Sequence, residues 1–127
     1  MYITIDEEDG RAIYRQVVDG IKELIARGEL QQGSALPPVR QVAADLGVNL
    51  NTIAFAYRQL QQDGLIKIRH GSGAVVISKT LGEKAEGRLA SQLRAALTHL
   101  VLEGLARTEI NVLVACELDH LFRDRGR

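Results

Sequence analysis

The stretch VRQVAADLGVNLNTIAFAYRQL, residues 39–60, holds two helix-period patterns separated only by Gly47, Val48 and Asn49. Val39, Val42, Ala43 and Leu46 fall at i, i+3, i+4 and i+7, the spacing of one buried helix face, and Ile53, Ala56, Tyr57 and Leu60 repeat it after the break. Gly47 suits a left-handed stop, Pro38 is tolerated in the first turn of the earlier helix, and Asn49 is a good N-cap for the later one. So short a joint fixes the angle between the helices, and Ala43 and Ala44 are small enough to let them cross closely.

The flanking segments complete the pattern. Tyr2 to Ile5 alternates like a very short strand, and an acidic turn follows to Gly10. Ile13, Val17, Ile21, Leu24 and Ile25 predict an amphipathic first helix ending near Gly28. Residues 29–38, rich in Gln, Gly, Ser and Pro, read as a loop. Asp63 and Gly64 stop the third helix, after which the period drops from about 3.6 to about 2 residues. Residues 65–69 and 74–78 then predict two strands around His70, Gly71, Ser72 and Gly73, a hairpin with glycines at its tip. Three helices and a hairpin in this order make a winged helix-turn-helix, assigned to residues 1–79.

A second region, residues 80–127, starts at a polar junction. Leu89, Leu93, Ala96, Leu97, Leu100 and Val101 keep helical spacing up to Gly104, and Ile110, Leu113, Val114, Leu118, Leu121 and Phe122 mark another helix with Thr108 as its cap. Two helices on a short loop form an antiparallel hairpin, whose apolar stripes have no third layer to cover them. The fold is therefore expected to be mainly α with a small β-hairpin, and the helical hairpin to dimerise with that of a second chain. Leu93, Leu97, Leu100, Leu113, Leu118 and Leu121 are the expected seam of this homodimer.

A helix entering the major groove of DNA, about 12 Å wide, points its first turn at the base edges, and the unpaired N–H groups there favour phosphate. That turn must be polar or slim, as residues 49–52 are. With Ile53 inward, Asn51, Ala54, Phe55, Arg58 and Gln62 lie on the outer side of the recognition helix, residues 49–63. Arg40 and Gln41, on the outer side of the preceding helix, can meet phosphate or a guanine edge. Arg69 and His70, in a wing at residues 69–73, can approach a narrow groove beside Gly71. Phe55 either packs on a neighbouring helix or touches a thymine methyl.

Charge decides less. Sixteen bases balance sixteen acids, but residues 11–79 hold nine bases against five acids while residues 1–10 hold four acids and no base. The excess permits a polyanionic partner. The lone Cys116 rules out an internal disulfide, suits a reducing cytosol and reads as a small core residue. No apolar run can span a bilayer and the start MYITIDEED lacks the build of a signal peptide, so no membrane partner and a cytoplasmic location are expected.

No nucleophile–base pairing or phosphate-binding glycine loop is present, so no catalytic residue, enzyme activity or cofactor is expected. His99 and Glu103 stand at i, i+4 with His120 on the next helix, but without a further ligand cluster they read as exposed polar residues and no metal is expected. The alternative to a DNA reader is a winged helix that docks a protein.

The segment AIYRQVVDGIKELIARGELQQGSALPPVRQVAADLGVNLNTIAFAYRQLQQDGLIKIRHGSGAVVI resembles the DNA-binding domain of GntR-family bacterial transcription regulators. The tyrosine-containing entry to helix one, the GEL…G…LP…VR…A…LGV…NT…AY..L...GLI sequence and the HGSG wing carry the likeness. The short C-terminal hairpin is similar to that of the YtrA subfamily. This resemblance implies a homodimeric repressor of a nearby operon, often one encoding a transporter, that binds double-stranded DNA at a palindromic operator. A small-molecule effector is possible, its identity unknown. The resemblance also implies DNA contacts at Arg40, at Asn49, Leu50, Asn51 and Thr52, and at His70 and Gly71. Pro38 departs from the family's common serine cap, a bond worth about 1 kcal/mol. Leu50 stands where arginine or proline is frequent, and Ala54 and Phe55 where one arginine is frequent.

Overall fold

The computed structural model describes residues 3–70, 73–77 and 83–122, the side chains of residues 83 and 84 excepted. They form two compact units, one within residues 1–79 and one within residues 80–123.

The first unit contains α1 (Ile13–Ala26), β1 (Ala35–Leu36), α2 (Val39–Leu46), α3 (Leu50–Gln62), β2 (Ile66–Ile68) and β3 (Ala74–Val76). Helix α3 packs against α1, α2 and β2, so it carries the centre of the core. Its buried residues are Ile53, Ala56, Tyr57 and Leu60, the face that helical spacing predicted. Val17, Ile21 and Leu24 of α1 and Val42 and Ala43 of α2 meet them, and Ile66, Ala74 and Val76 close the floor. Ile13, expected on the inner face of α1, is instead exposed, and Ala44 points outward while Ala43 is buried. Pro38 sits at the N-cap position of α2, just before its first turn, and makes no side-chain capping bond.

Three local expectations change. Ile3 to Ile5 form no strand, and Tyr2 lies outside the described residues. Instead Gln16, buried in α1, holds the segment: its Nε2 donates to the Asp6 and Arg11 carbonyls at 3.0 and 3.3 Å, and its Oε1 accepts from the Asp6 N–H at 2.9 Å. Ile3 then packs over Gly20, where a Cβ would stand 3.0 Å from the isoleucine side chain. The expected loop at 29–38 contains a third strand. β1 pairs antiparallel with β3, as β2 does on its other side, giving the order β1-β3-β2. Ala35 and Leu36 thereby satisfy backbone groups of β3 that a two-stranded hairpin would leave open. Both hairpin strands are shorter than expected, and Ser78 lies outside the described residues.

The second unit is α4 (Glu83–Leu102) and α5 (Arg107–Phe122), in contact with each other across a short turn. Gly104, at φ 95°, makes that turn, with the Gly104 and Leu105 N–H groups donating to the Val101 and Leu100 carbonyls at 3.0 and 3.2 Å. Thr108, expected as a cap, lies inside the first turn of α5, and the Glu109 carboxylate accepts from the Ala106 N–H at 2.7 Å in its place. No residue of α5 is buried. Cys116, expected in a core, is exposed. Among the described residues no helix is long and apolar enough to cross a membrane.

Candidate nucleic-acid interface

The turn between α2 and α3 is built by backbone geometry. Gly47 adopts φ 68°, ψ 33°, a left-handed conformation that a side chain rarely takes, although a Cβ there would meet nothing within 4 Å. Asn49 then caps α3 with its Oδ1 accepting from the Asn51 N–H at 2.7 Å. The Thr52 and Ile53 N–H groups donate to the Asn49 carbonyl at 3.1 and 3.4 Å, so Asn49 satisfies most of the amides that open the helix. Asn49, Leu50 and Asn51 are exposed and Thr52 is half-buried. The leading turn of α3 is uncovered.

Arg40 and Gln41 are exposed on α2, beside buried Val42 and Ala43, and Arg58 is exposed on α3. Arg69 and His70 are exposed at the end of β2, while Gly71 lies outside the described residues. The Arg69 N–H donates to the Gly73 carbonyl at 2.7 Å, closing the hairpin. Gly73, at φ 82°, would place a Cβ 3.0 Å from the Leu36 carbonyl oxygen, so glycine lets the wing base lie against the strand that precedes α2. Tyr57 ties the same region to α3: its hydroxyl donates to the Pro37 carbonyl at 2.6 Å, and burial pushes the phenol up to about 12.

The ion pairs divide the cations of this unit. Arg11 pairs with Asp9 and Asp19, Lys22 with Asp63 at 3.0 Å, and Arg27 with Glu29 at 3.6 Å. The guanidinium beside Asp9 holds that carboxyl below the usual carboxylate range. Among the described residues, Arg15, Arg40, Arg58, Lys67 and Arg69 have no carboxylate within ion-pair reach. Cations left free in this way are available to phosphate. Arg15 and Lys67 escaped the sequence reading because nothing in a helical or strand pattern separates a paired surface cation from an unpaired one. An open groove of about 690 Å³ runs between Asp6, Glu7 and Glu8 and the residues Gly47, Val48 and Asn49, placing three carboxylates to one side of the turn.

Phe55 packs on the neighbouring helix. Its ring meets Tyr14 of α1 edge to face, with centroids 4.7 Å apart and planes at 77°, yet it stays 42% exposed. In the second unit the six expected seam leucines are all exposed or half-buried, Leu93 at 58% and Leu118 at 49% among them. His99 and Glu103 are exposed, and among the described residues no group of three or more potential ligands gathers as a metal site.

A helix-turn-helix with an open recognition turn and a wing defines a DNA-binding transcriptional regulator. Residues 13–76 match the family described as bacterial regulatory proteins, gntR family. The chain is 30% identical over 101 residues to the HTH-type transcriptional repressor YtrA of Bacillus subtilis, covering 80% of this chain and 77% of that protein. It superposes on a transcriptional antiterminator from Listeria monocytogenes EGD-e with a TM-score of 0.86 at 28% identity, over 95% of this chain and 92% of the other. The AraR DNA-binding domain in complex with operator ORE1 matches at a TM-score of 0.51 and 25% identity, over 60% of this chain and 93% of the other. The chain belongs to the GntR family of bacterial transcription regulators, in its YtrA subfamily.

Proposed function

We propose that this regulator is a cytoplasmic homodimeric repressor that binds a palindromic operator, with residues 49–63 as recognition helix and residues 69–73 as wing. The observation that carries the reading is the uncovered first turn of α3 in a unit where Arg40, Arg58 and Arg69 are exposed and, among the described residues, not paired with a carboxylate. Asn49, Leu50, Asn51 and Thr52 would face base edges, Arg40 and Gln41 the backbone or a guanine, and Arg69, His70 and Gly71 the flanking groove. The name of the Bacillus relative, a repressor, and the AraR–operator complex support the direction of regulation and the partner.

Residues 1–79 act as the DNA-binding domain and residues 80–127 as the dimerisation region. The support is the exposed apolar surface of α4 and α5, which in a lone chain meets water. Two recognition helices related by a twofold axis would meet half-sites about 34 Å apart. With roughly 6 to 10 phosphate contacts, affinity should fall on the order of a thousandfold or more between about 50 and 200 mM salt. A mobility-shift titration on genomic fragments selected by the protein tests this; a flat salt response overturns it.

A further inference from the structure

Four side chains join the start of α1 to the outer side of α3 in a series of two edge-to-face rings with a cation at each end. The Arg15 guanidinium carbon lies 5.9 Å from the centroid of the Tyr14 ring, Tyr14 meets Phe55 edge to face, and the Arg58 guanidinium carbon lies 5.8 Å from the Phe55 centroid. Cations are attracted to ring faces, and a guanidinium resting on a ring keeps its N–H edges free for acceptors in its own plane. Both guanidiniums are exposed, and among the described residues neither has a carboxylate partner. The nearby acids are engaged elsewhere: Asp19 with Arg11 and Asp63 with Lys22. A charged helix start that serves only solubility has no need of aromatic bracing on a recognition helix.

The geometry points to Arg15 as a further DNA contact of this regulator, a phosphate-binding residue on α1 braced through Tyr14 and Phe55 together with Arg58. The inference rests on the DNA-binding reading above and extends the footprint from α3 to the first turn of α1. Its ligand is the phosphodiester backbone, so a duplex of mixed sequence is a sufficient probe.

The test is a fluorescence-anisotropy salt titration of the full chain on a mixed-sequence duplex, comparing wild type with Arg15→Ala and Phe55→Leu. Arg15→Ala should weaken binding several-fold at low salt and flatten the slope of log K against log salt by about 1 per protomer. Phe55→Leu keeps an apolar side chain but removes the ring, and should flatten the slope by less. Thermal melts establish that both variants stay folded. A wild-type slope for Arg15→Ala overturns the contact, and a wild-type slope for Phe55→Leu overturns the bracing. A wild-type protein with no salt dependence overturns the DNA-binding reading itself, an outcome the variants cannot mimic.

Discussion

The two units use the same kinds of apolar side chain to opposite ends. In the first, Val17, Ile21, Ile53, Tyr57, Leu60 and Ile66 are nearly or wholly inaccessible to water, gathered around one central helix. In the second, α5 has apolar residues on nearly every side, with Val112 64% exposed and Leu118 49% exposed. A helix apolar all round belongs in an interior. One unit completes its core from its own chain, and the other offers the surface from which a shared core can be built. A unit that presents side chains to DNA can close its core within one chain, whereas the proposed pairing of α4 and α5 would require apolar surface left unspent.

A charge placed on the exposed apolar surface of α5 should have the largest effect. Leu118→Asp should turn the proposed dimer into a monomer at micromolar concentration, seen by light scattering against a dimeric wild type, while the melting of the N-terminal unit is unchanged. A variant that stays dimeric would place the seam elsewhere. Ile53→Ala is the converse change. It should destabilise the N-terminal unit by about 2–5 kcal/mol in denaturant titrations, through lost burial plus the cavity left behind, with the dimer retained.

Smaller effects sharpen the division within the N-terminal unit. Arg40→Ala should lower affinity for a selected DNA fragment by roughly tenfold, at the low end of what a direct base or phosphate contact supplies, with neither fold nor dimer altered. Unchanged affinity would remove Arg40 from the interface. Tyr57→Phe should cost about 1–3 kcal/mol, because the Pro37 carbonyl loses its donor inside the protein. The pH dependence has a definite sign. The phenol is raised from 10.0 to about 12 in the folded state, so its contribution is intact below pH 10 and declines as pH rises towards 12. Wild type and Tyr57→Phe should therefore converge in stability at the alkaline end; a constant gap would show that the phenol is not held neutral by the fold.

Much of the fold was legible because it is written in a short-range period. Ile53, Ala56, Tyr57 and Leu60 face inward because they recur at the pitch of a helix, and Gly47 and Asn49 mark its boundary by local backbone chemistry. Strand β1 was illegible for the opposite reason. Ala35 and Leu36 lie in a stretch of turn residues, and only the proximity of β3 makes them a strand. The candidate interface divides in the same way. The outward position of Arg40 and Arg58 follows from the helical wheel, whereas it takes the folded structure to show that Arg11 pairs with Asp19 and Lys22 with Asp63 while Arg15 has no carboxylate partner among the described residues.

The order of residues alone marked which segments are helical, which face of α2 and α3 is apolar, and that the C-terminal pair carries apolar stripes with no third layer to cover them. Only the tertiary structure decided that Phe55 leans on Tyr14, that the Tyr57 hydroxyl reaches Pro37, and that Gly73 lets the wing base lie against β1. The physical reason is range: periodicity and capping act over a few residues of chain, while ring contacts, cross-strand pairing and the choice of ion-pair partner depend on groups that come together only once the core has closed.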